Sequence, residues 1–330
     1  MRKEVPFEVE NFRGIVRVFS DGSVIRSDDP SAKVPIEDDG SIAWKDFTFD
    51  NSFSLQLRIY KPSSIPDQKK LPIYIYFLAG GFCFGSRTWP IFHNFCLRLA
   101  SRLQAVVIAP DHRWAPEYPL PSAIDDAFTA IKWVQTEFRM KNSASSLMDF
   151  ADPKQVYISG NSSGGNICHH LAVGFAAQNL SPLSVRGYIL ITPGFSSEKR
   201  SPAELSCPAS DLYIIEHHDC LWKLAVPKGS TRNHPLANPL GPNGKDLSSI
   251  KFSPVLVVTG TRDLIRDRQT AYVEKLRGIG SHADMVVFDG ERHNFNYYNP
   301  KSAANSELMD RIKSFMAATS GETCKSRSRL

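Results

Sequence analysis

Ile158-Ser159-Gly160-Asn161-Ser162-Ser163-Gly164-Gly165-Asn166-Ile167 decides the reading of this chain. It contains Gly160-x-Ser162-x-Gly164, the pattern of a sharp strand-to-helix turn that lifts a serine hydroxyl clear of a sheet. Glycine is needed on either side because a Cβ there would collide with the neighbouring strand or helix. Residues 154–159 read as a short buried strand and 166–173 as an apolar helix. Strand, turn and helix in that order are the context the motif requires, so Ser162 is the candidate nucleophile.

Around this turn, buried strands alternate with helices. The sequence predicts a strand pair over 42–49 and 54–60, where Leu55, Leu57 and Ile59 alternate with polar residues. The wholly apolar run 71–77 reads as a central strand buried on both faces. A helix over 92–103, a strand over 105–109 and a helix over 123–138 follow. Beyond the turn come strands over 185–192, 254–260 and 283–288, with helices over 268–279 and 302–318. This succession calls for a mostly parallel sheet covered by helices on both faces. The N-terminal part is different: 11–26 alternates weakly and turns at Asp21-Gly22, and the region to about 43 is polar and loop-like. Between 193 and 252, Leu205, Leu212, Ile214-Ile215 and Trp222 sit among Pro, Gly and Asn with helical pieces and no buried strand. The expectation is one domain over 1–330, capped by an insertion at about 194–252 that the segment 1–43 joins as a lid.

A serine hydroxyl is a poor nucleophile until a base takes its proton, usually a histidine oriented by a carboxylate. In one recurring chain order the acid follows the serine and the histidine comes last. Strand 254–260 runs into Asp263, with Asp267 as competitor, and strand 283–288 runs into His293. His169-His170 are expected to pack on the helix after the turn. His217-His218 are adjacent and diverge on a helix, so they are poor joint metal ligands; no metal or cofactor is called for. An acyl-transfer site also needs backbone N–H donors for a developing oxyanion. Gly80 and Gly81, after strand 71–77, and Ser163, after the nucleophile, are the candidates. Phe82, Phe84, Trp114 and Trp222 are candidates for an apolar substrate pocket.

The bulk numbers narrow the field. The 330 residues are 42% hydrophobic and 22% charged, with a net charge of +5 spread along the chain. Such a balance argues against nucleic-acid binding, and no apolar run approaches a membrane span. Met1-Arg2-Lys3-Glu4-Val5-Pro6 has no apolar core of the kind a secretory signal carries. Six cysteines without regular spacing suggest free thiols in a reducing compartment, hence the cytoplasm. Ser328-Arg329-Leu330 resembles a peroxisomal address and makes the peroxisome the alternative. Oligomeric state is unreadable.

At this level of detail the chain resembles plant carboxylesterases of the hormone-sensitive-lipase-like branch of α/β-hydrolases, along nearly its whole length. The supports are Val18-Phe19-Ser20-Asp21-Gly22-Ser23-Val24, Leu57-Arg58-Ile59-Tyr60-Lys61-Pro62, Gly80-Gly81-Phe82-Cys83, Asp111-His112-Arg113-Trp114-Ala115-Pro116-Glu117, Pro119-Leu120-Pro121-Ser122-Ala123, the turn and the two loops after it. Phe84-Gly85-Ser86-Arg87-Thr88-Trp89-Pro90 and His93-Asn94-Phe95-Cys96 are most similar to the group associated with strigolactone breakdown. The resemblance implies a Ser162, Asp263, His293 triad, oxyanion donors at Gly80, Gly81 and Ser163, and hydrolysis of an ester of a small apolar plant metabolite. Two residues depart from it. Leu78-Ala79 stands where the family usually has His-Gly, and Asn161 where it usually has Asp. Two alternatives stay open: a lyase, cyclase or demethoxycarbonylating esterase of alkaloid metabolism reusing the pocket, and a non-catalytic binding protein like the gibberellin receptors. Those receptors share the fold and lid but have lost the triad histidine.

Overall fold

The computed structural model describes residues 5–27, 33–66, 69–140, 143–211 and 213–321. Cys324 and Ser328-Arg329-Leu330, and with them the peroxisomal reading, lie outside these residues, as does Leu212.

Three short antiparallel strands, β1 (Glu8–Phe12), β2 (Val16–Phe19) and β3 (Val24–Arg26), form a small separate sheet. Its second turn closes at Gly22, in the left-handed region at φ +84°. The main sheet contains β4 (Ile42–Asp50), β5 (Leu55–Pro62), β6 (Leu71–Phe77), β7 (Val106–Pro110), β8 (Ala151–Asn161), β9 (Val185–Ile191), β10 (Val255–Gly260) and β11 (Ala283–Phe288). Their spatial order is β11-β10-β9-β8-β6-β7-β5-β4. β4 and β5 pair antiparallel, as do β5 and β7, and every other pair is parallel. The helices are α1 (Pro90–Leu103), α2 (Ser122–Glu137), α3 (Leu147–Phe150), α4 (Ser163–Phe175), α5 (Pro202–Leu205), α6 (Ile215–Ala225), α7 (Arg266–Gly278), α8 (Phe295–Tyr298) and α9 (Ala303–Thr319). This is the expected α/β-hydrolase architecture. The long elements fall within a few residues of the expected bounds, because apolar periodicity fixes their cores better than their ends.

β6 shows why the run 71–77 had to be central. Ile73, Ile75 and Phe77 pack into one buried layer with α2, α4 and α7, while Tyr74 and Tyr76 pack into the opposite layer with α1 and α9. Burying each such side chain contributes about 1.5–3 kcal/mol, so the strand is held from both sides.

Register then sets the site. Phe77 pairs with Gly160, so the loop after β6 emerges beside the turn at Ser162. Gly260 pairs with Phe288, so the loops after β10 and β11 emerge together. All four loops leave the carboxyl edge of the sheet, where ligands bind in open α/β folds. At that edge the small N-terminal sheet meets α6 of the insertion. Glu10 forms an ion pair with Lys223, and the Phe12 ring meets the His217 ring edge-on at 5.5 Å.

His169, His170 and His218 are held by contacts away from the loop after β11. His169 Nδ1 meets the Tyr272 hydroxyl at 3.0 Å, and His170 Nε2 meets Leu236 O at 3.2 Å. His218, buried in α6, lies between Tyr213 and Ser196.

Two predictions test this packing. A Cβ at Gly160 would stand 2.2 Å from Gly164 O, whereas one at Gly278 would meet nothing within 4 Å. Gly160→Ala should therefore lower the unfolding free energy by about 3 kcal/mol, and Gly278→Ala should change it by less than about 1 kcal/mol, both read by urea titration. The second concerns acid. Burial holds His169 and His218 well below the ordinary value of 6.5, and His170 at about 4. The unfolded chain thus binds more protons than the fold once pH drops below about 6.5, and stability must fall there. Urea midpoints should hold steady above about pH 7 and decline on acidification through about 6.5, His170 contributing down to about pH 4.

Candidate active site

Ser162 closes the turn with φ +52° and ψ −114°, a conformation that L-residues rarely adopt. Holding a non-glycine residue there costs on the order of 1–3 kcal/mol, so the surroundings must impose it. They do so through backbone: Ser162 N–H donates to Ile191 O at 3.0 Å, and Ser162 O accepts from Gly194 N–H at 2.8 Å. Gly164 then passes so close to β6 that a Cβ would stand 2.1 Å from Phe77 O.

The structure brings Ser162, His293 and Asp263 into one hydrogen-bonded chain. The Ser162 hydroxyl donates to His293 Nε2 at 2.8 Å, and His293 Nδ1–H donates to Asp263 Oδ2 at 2.9 Å. The tautomer follows from the carboxylate, which can only accept. Asp263 is fully buried; its Oδ1 accepts from Ile265 N–H at 3.0 Å and its Oδ2 also accepts from Gln269 Nε2 at 3.1 Å. The competitor Asp267 is elsewhere, accepting from Ala203 N–H at 2.8 Å and pairing with Arg266.

On the other side of Ser162 lies the loop after β6. Gly80 (φ +140°) and Gly81 (φ +57°) both occupy the left-handed half of backbone space. A Cβ on Gly80 would meet Phe84 O at 1.9 Å, so only glycine fits. Among the described residues, no hydrogen bond takes up the N–H groups of Gly80, Gly81 or Ser163. Gly80, Gly81 and Ser162 line one cavity of about 60 Å³.

The four aromatic candidates separate. Phe84 lines this cavity, together with Phe12, Trp89 and Phe92. Phe82, Trp114 and Trp222 do not, which corrects the sequence-based expectation. Phe82 and Trp222 are buried against each other, ring centroids 5.5 Å apart, and the Trp114 indole donates to Gly85 O at 3.1 Å beneath the Arg26 guanidinium. They support the loop from behind, because large rings fill core as readily as they line pockets.

Three contributors escaped the sequence reading. Tyr213, in the insertion, stacks on the His293 ring with centroids 4.7 Å apart, and its hydroxyl meets His218 Nδ1 at 3.1 Å. It separates the cavity over Ser162 from a second one of about 350 Å³ beside His293, where Arg262 and Arg292 converge on buried Asp211. Gln269, one turn into α7, braces Asp263. Asn294, at φ +60°, accepts from Asn161 Nδ2 and from the Thr192 hydroxyl at 3.3 Å, joining the residue before Ser162 to the residue after His293. Only Asn294 left a trace in sequence, as a residue tolerant of the left-handed region next to the candidate histidine.

Comparison with known proteins places the fold in a family. The family profile described as alpha/beta hydrolase fold matches residues 74–297. The chain is 31% identical over 318 residues to "Probable carboxylesterase 8" of Arabidopsis thaliana, covering 94% of each chain. It is 31% identical over 294 residues to a gibberellin receptor of Oryza sativa subsp. japonica, covering 83% of this chain and 80% of the receptor. Among solved structures, a thermophilic carboxylesterase cloned from a metagenomic library superposes with TM-score 0.72 at 27% identity, covering 88% of this chain and 92% of that one. The chain belongs to the α/β-hydrolase family, and within it to the carboxylesterase type.

Proposed function

We propose that the protein hydrolyses a carboxylic ester of a small, mostly apolar plant specialised metabolite through an acyl-enzyme on Ser162. The observation that carries this reading is the unbroken chain Ser162–His293–Asp263 at 2.8 and 2.9 Å, facing uncommitted N–H groups across the cavity.

His293 Nε2 takes the hydroxyl proton as Ser162 Oγ attacks the ester carbonyl carbon. The imidazolium that forms is stabilised by Asp263, which keeps its negative charge. Charge moves onto the carbonyl oxygen, towards the N–H groups of Gly80, Gly81 and Ser163. Such preorganised donors contribute about 10²–10³ in rate each. Collapse of the tetrahedral species breaks the bond to the alcohol oxygen, which leaves with the proton from His293. Water then attacks the acyl-enzyme with His293 again as base, releasing acid and restoring Ser162. The aromatic wall of Phe84, Trp89 and Phe92 favours an apolar group beside the reacting carbon, and the cavity of about 60 Å³ favours a small one. Buried thiols at Cys83, Cys96 and Cys168 fit a reducing compartment such as the cytoplasm. Among the described residues, no helix is long and apolar enough to cross a membrane.

A second reading, a receptor that binds its ligand without turnover, draws on the 31% identity to the rice gibberellin receptor. The occupied position 293 argues against it, since binding alone needs no imidazole poised on a serine.

Two experiments discriminate. A fluorophosphonate probe should label the wild type at neutral pH and leave Ser162→Ala and His293→Ala unlabelled; a folded but unlabelled wild type would favour the receptor. For the acid, Asp263→Asn should lower kcat on 4-nitrophenyl acetate by about 10⁴-fold, while Asp267→Asn should stay within roughly 3-fold.

A further inference from the structure

A loop that presents free N–H groups to an oxyanion must hold its shape without using those groups, because preorganisation is what makes them effective. The loop after β6 has little of its own to achieve this. Leu78 and Ala79 offer no polar side chain, and Gly80 and Gly81 are the most conformationally free residues available. Two internal bonds help, from Cys83 N–H (2.9 Å) and Phe84 N–H (3.2 Å) to Gly80 O. Both fix the far side of the loop and leave its entry at Ala79 to be held by something else.

Tyr297 stands at that entry. It lies in α8, four residues after His293, is buried, and lines the same cavity as Ala79, Gly80, Gly81 and Ser162. Its hydroxyl is 2.5 Å from the hydroxyl of Tyr76, which lies three residues before Ala79 on β6. Ala79, where the loop begins, lines that cavity beside Tyr297. Its ring is wedged edge-on against Phe92 (5.1 Å) and Phe95 (5.3 Å) of α1. Phe92 in turn sits 3.1 Å from where a Cβ on Gly85 would stand, at the other end of the same loop. Burial pushes both phenols above their ordinary range, so they stay neutral and serve as donor and acceptor to each other.

We propose that the Tyr76–Tyr297 hydroxyl pair is the tether of the oxyanion loop, fastening Ala79 so that the next peptide presents Gly80 N–H to the reacting oxygen. Tyr297 is thus a positioning residue, tying the loop to the segment that carries His293. Neither phenol touches the reacting atoms. The inference rests on the esterase reading for its rate effect, but not for its structural effect.

The test compares wild type, Tyr297→Phe and Tyr76→Phe, measuring 4-nitrophenyl acetate hydrolysis and amide hydrogen exchange over residues 78–86 in the same preparations. Tyr297→Phe should lower kcat by about 10–10²-fold with KM within roughly 2-fold, because the ring that lines the cavity is kept and only transition-state stabilisation is lost. Exchange over 78–86 should accelerate by roughly tenfold or more, while β10 and α4 keep wild-type protection. Tyr76→Phe, which leaves the Tyr297 oxygen but removes its anchor, should show a smaller change of the same sign. It also serves if Tyr297→Phe does not fold. Unchanged exchange over 78–86, or an unchanged kcat in Tyr297→Phe, overturns the tether. A wild type that hydrolyses no ester defeats the esterase reading, and hydrogen exchange alone then decides the tether.

Discussion

The strained backbone at Ser162 is the constraint on which the rest of this structure depends. At φ +52° the residue turns the chain from β8 into α4 within one peptide, pointing the hydroxyl out of the sheet. No local preference favours this, so neighbours must enforce it. Gly160, Gly164 and Gly165 let β6, α4 and the Pro193 turn close around it at distances that a Cβ would forbid. Layers packed on both faces of the sheet supply the stability that this strain consumes.

From this point the chemistry is assembled by register. Parallel strands of similar length end together, so loops far apart in sequence emerge side by side at one edge. Gly160 beside Phe77 and Gly260 beside Phe288 set the serine, the glycine loop, the acid and the histidine around a common centre. Two polar contacts and one stacked ring then remove the remaining freedom: Gln269 on Asp263, Asn161 on Asn294, and Tyr213 on His293. Asn161 meets Asn294 amide to amide, so neighbouring loops are joined without adding charge beside the buried acid–base pair.

Much of this was legible in the sequence because it rests on strong local rules. The glycine spacing around Ser162 and the strand before each loop follow from backbone geometry, and the order serine, aspartate, histidine matches one recurring arrangement of such triads. The strand over 71–77 announced itself by being apolar on both faces. What stayed hidden depends on tertiary approach. Tyr213 reaches His293 from an insertion with no periodicity, and nothing in its neighbours marks it. Gln269 looks like any polar residue in the first turns of a helix. Three of the four pocket aromatics lie off the cavity for the same reason: Phe82, Trp114 and Trp222 are as apolar as Phe84, and only packing decides which rings face it. Strand order across the sheet, with β6 between β7 and β8, was equally out of reach, since alternation fixes the class of fold and not its permutation.

The most direct test of this account is rapid-quench intact-mass analysis of the wild type and Ser162→Ala during 4-nitrophenyl acetate turnover, followed by peptide mapping. The account predicts a transient single acetyl adduct that maps to Ser162 and is absent from the variant. Steady turnover that persists in Ser162→Ala, or an adduct on any other residue, would contradict it.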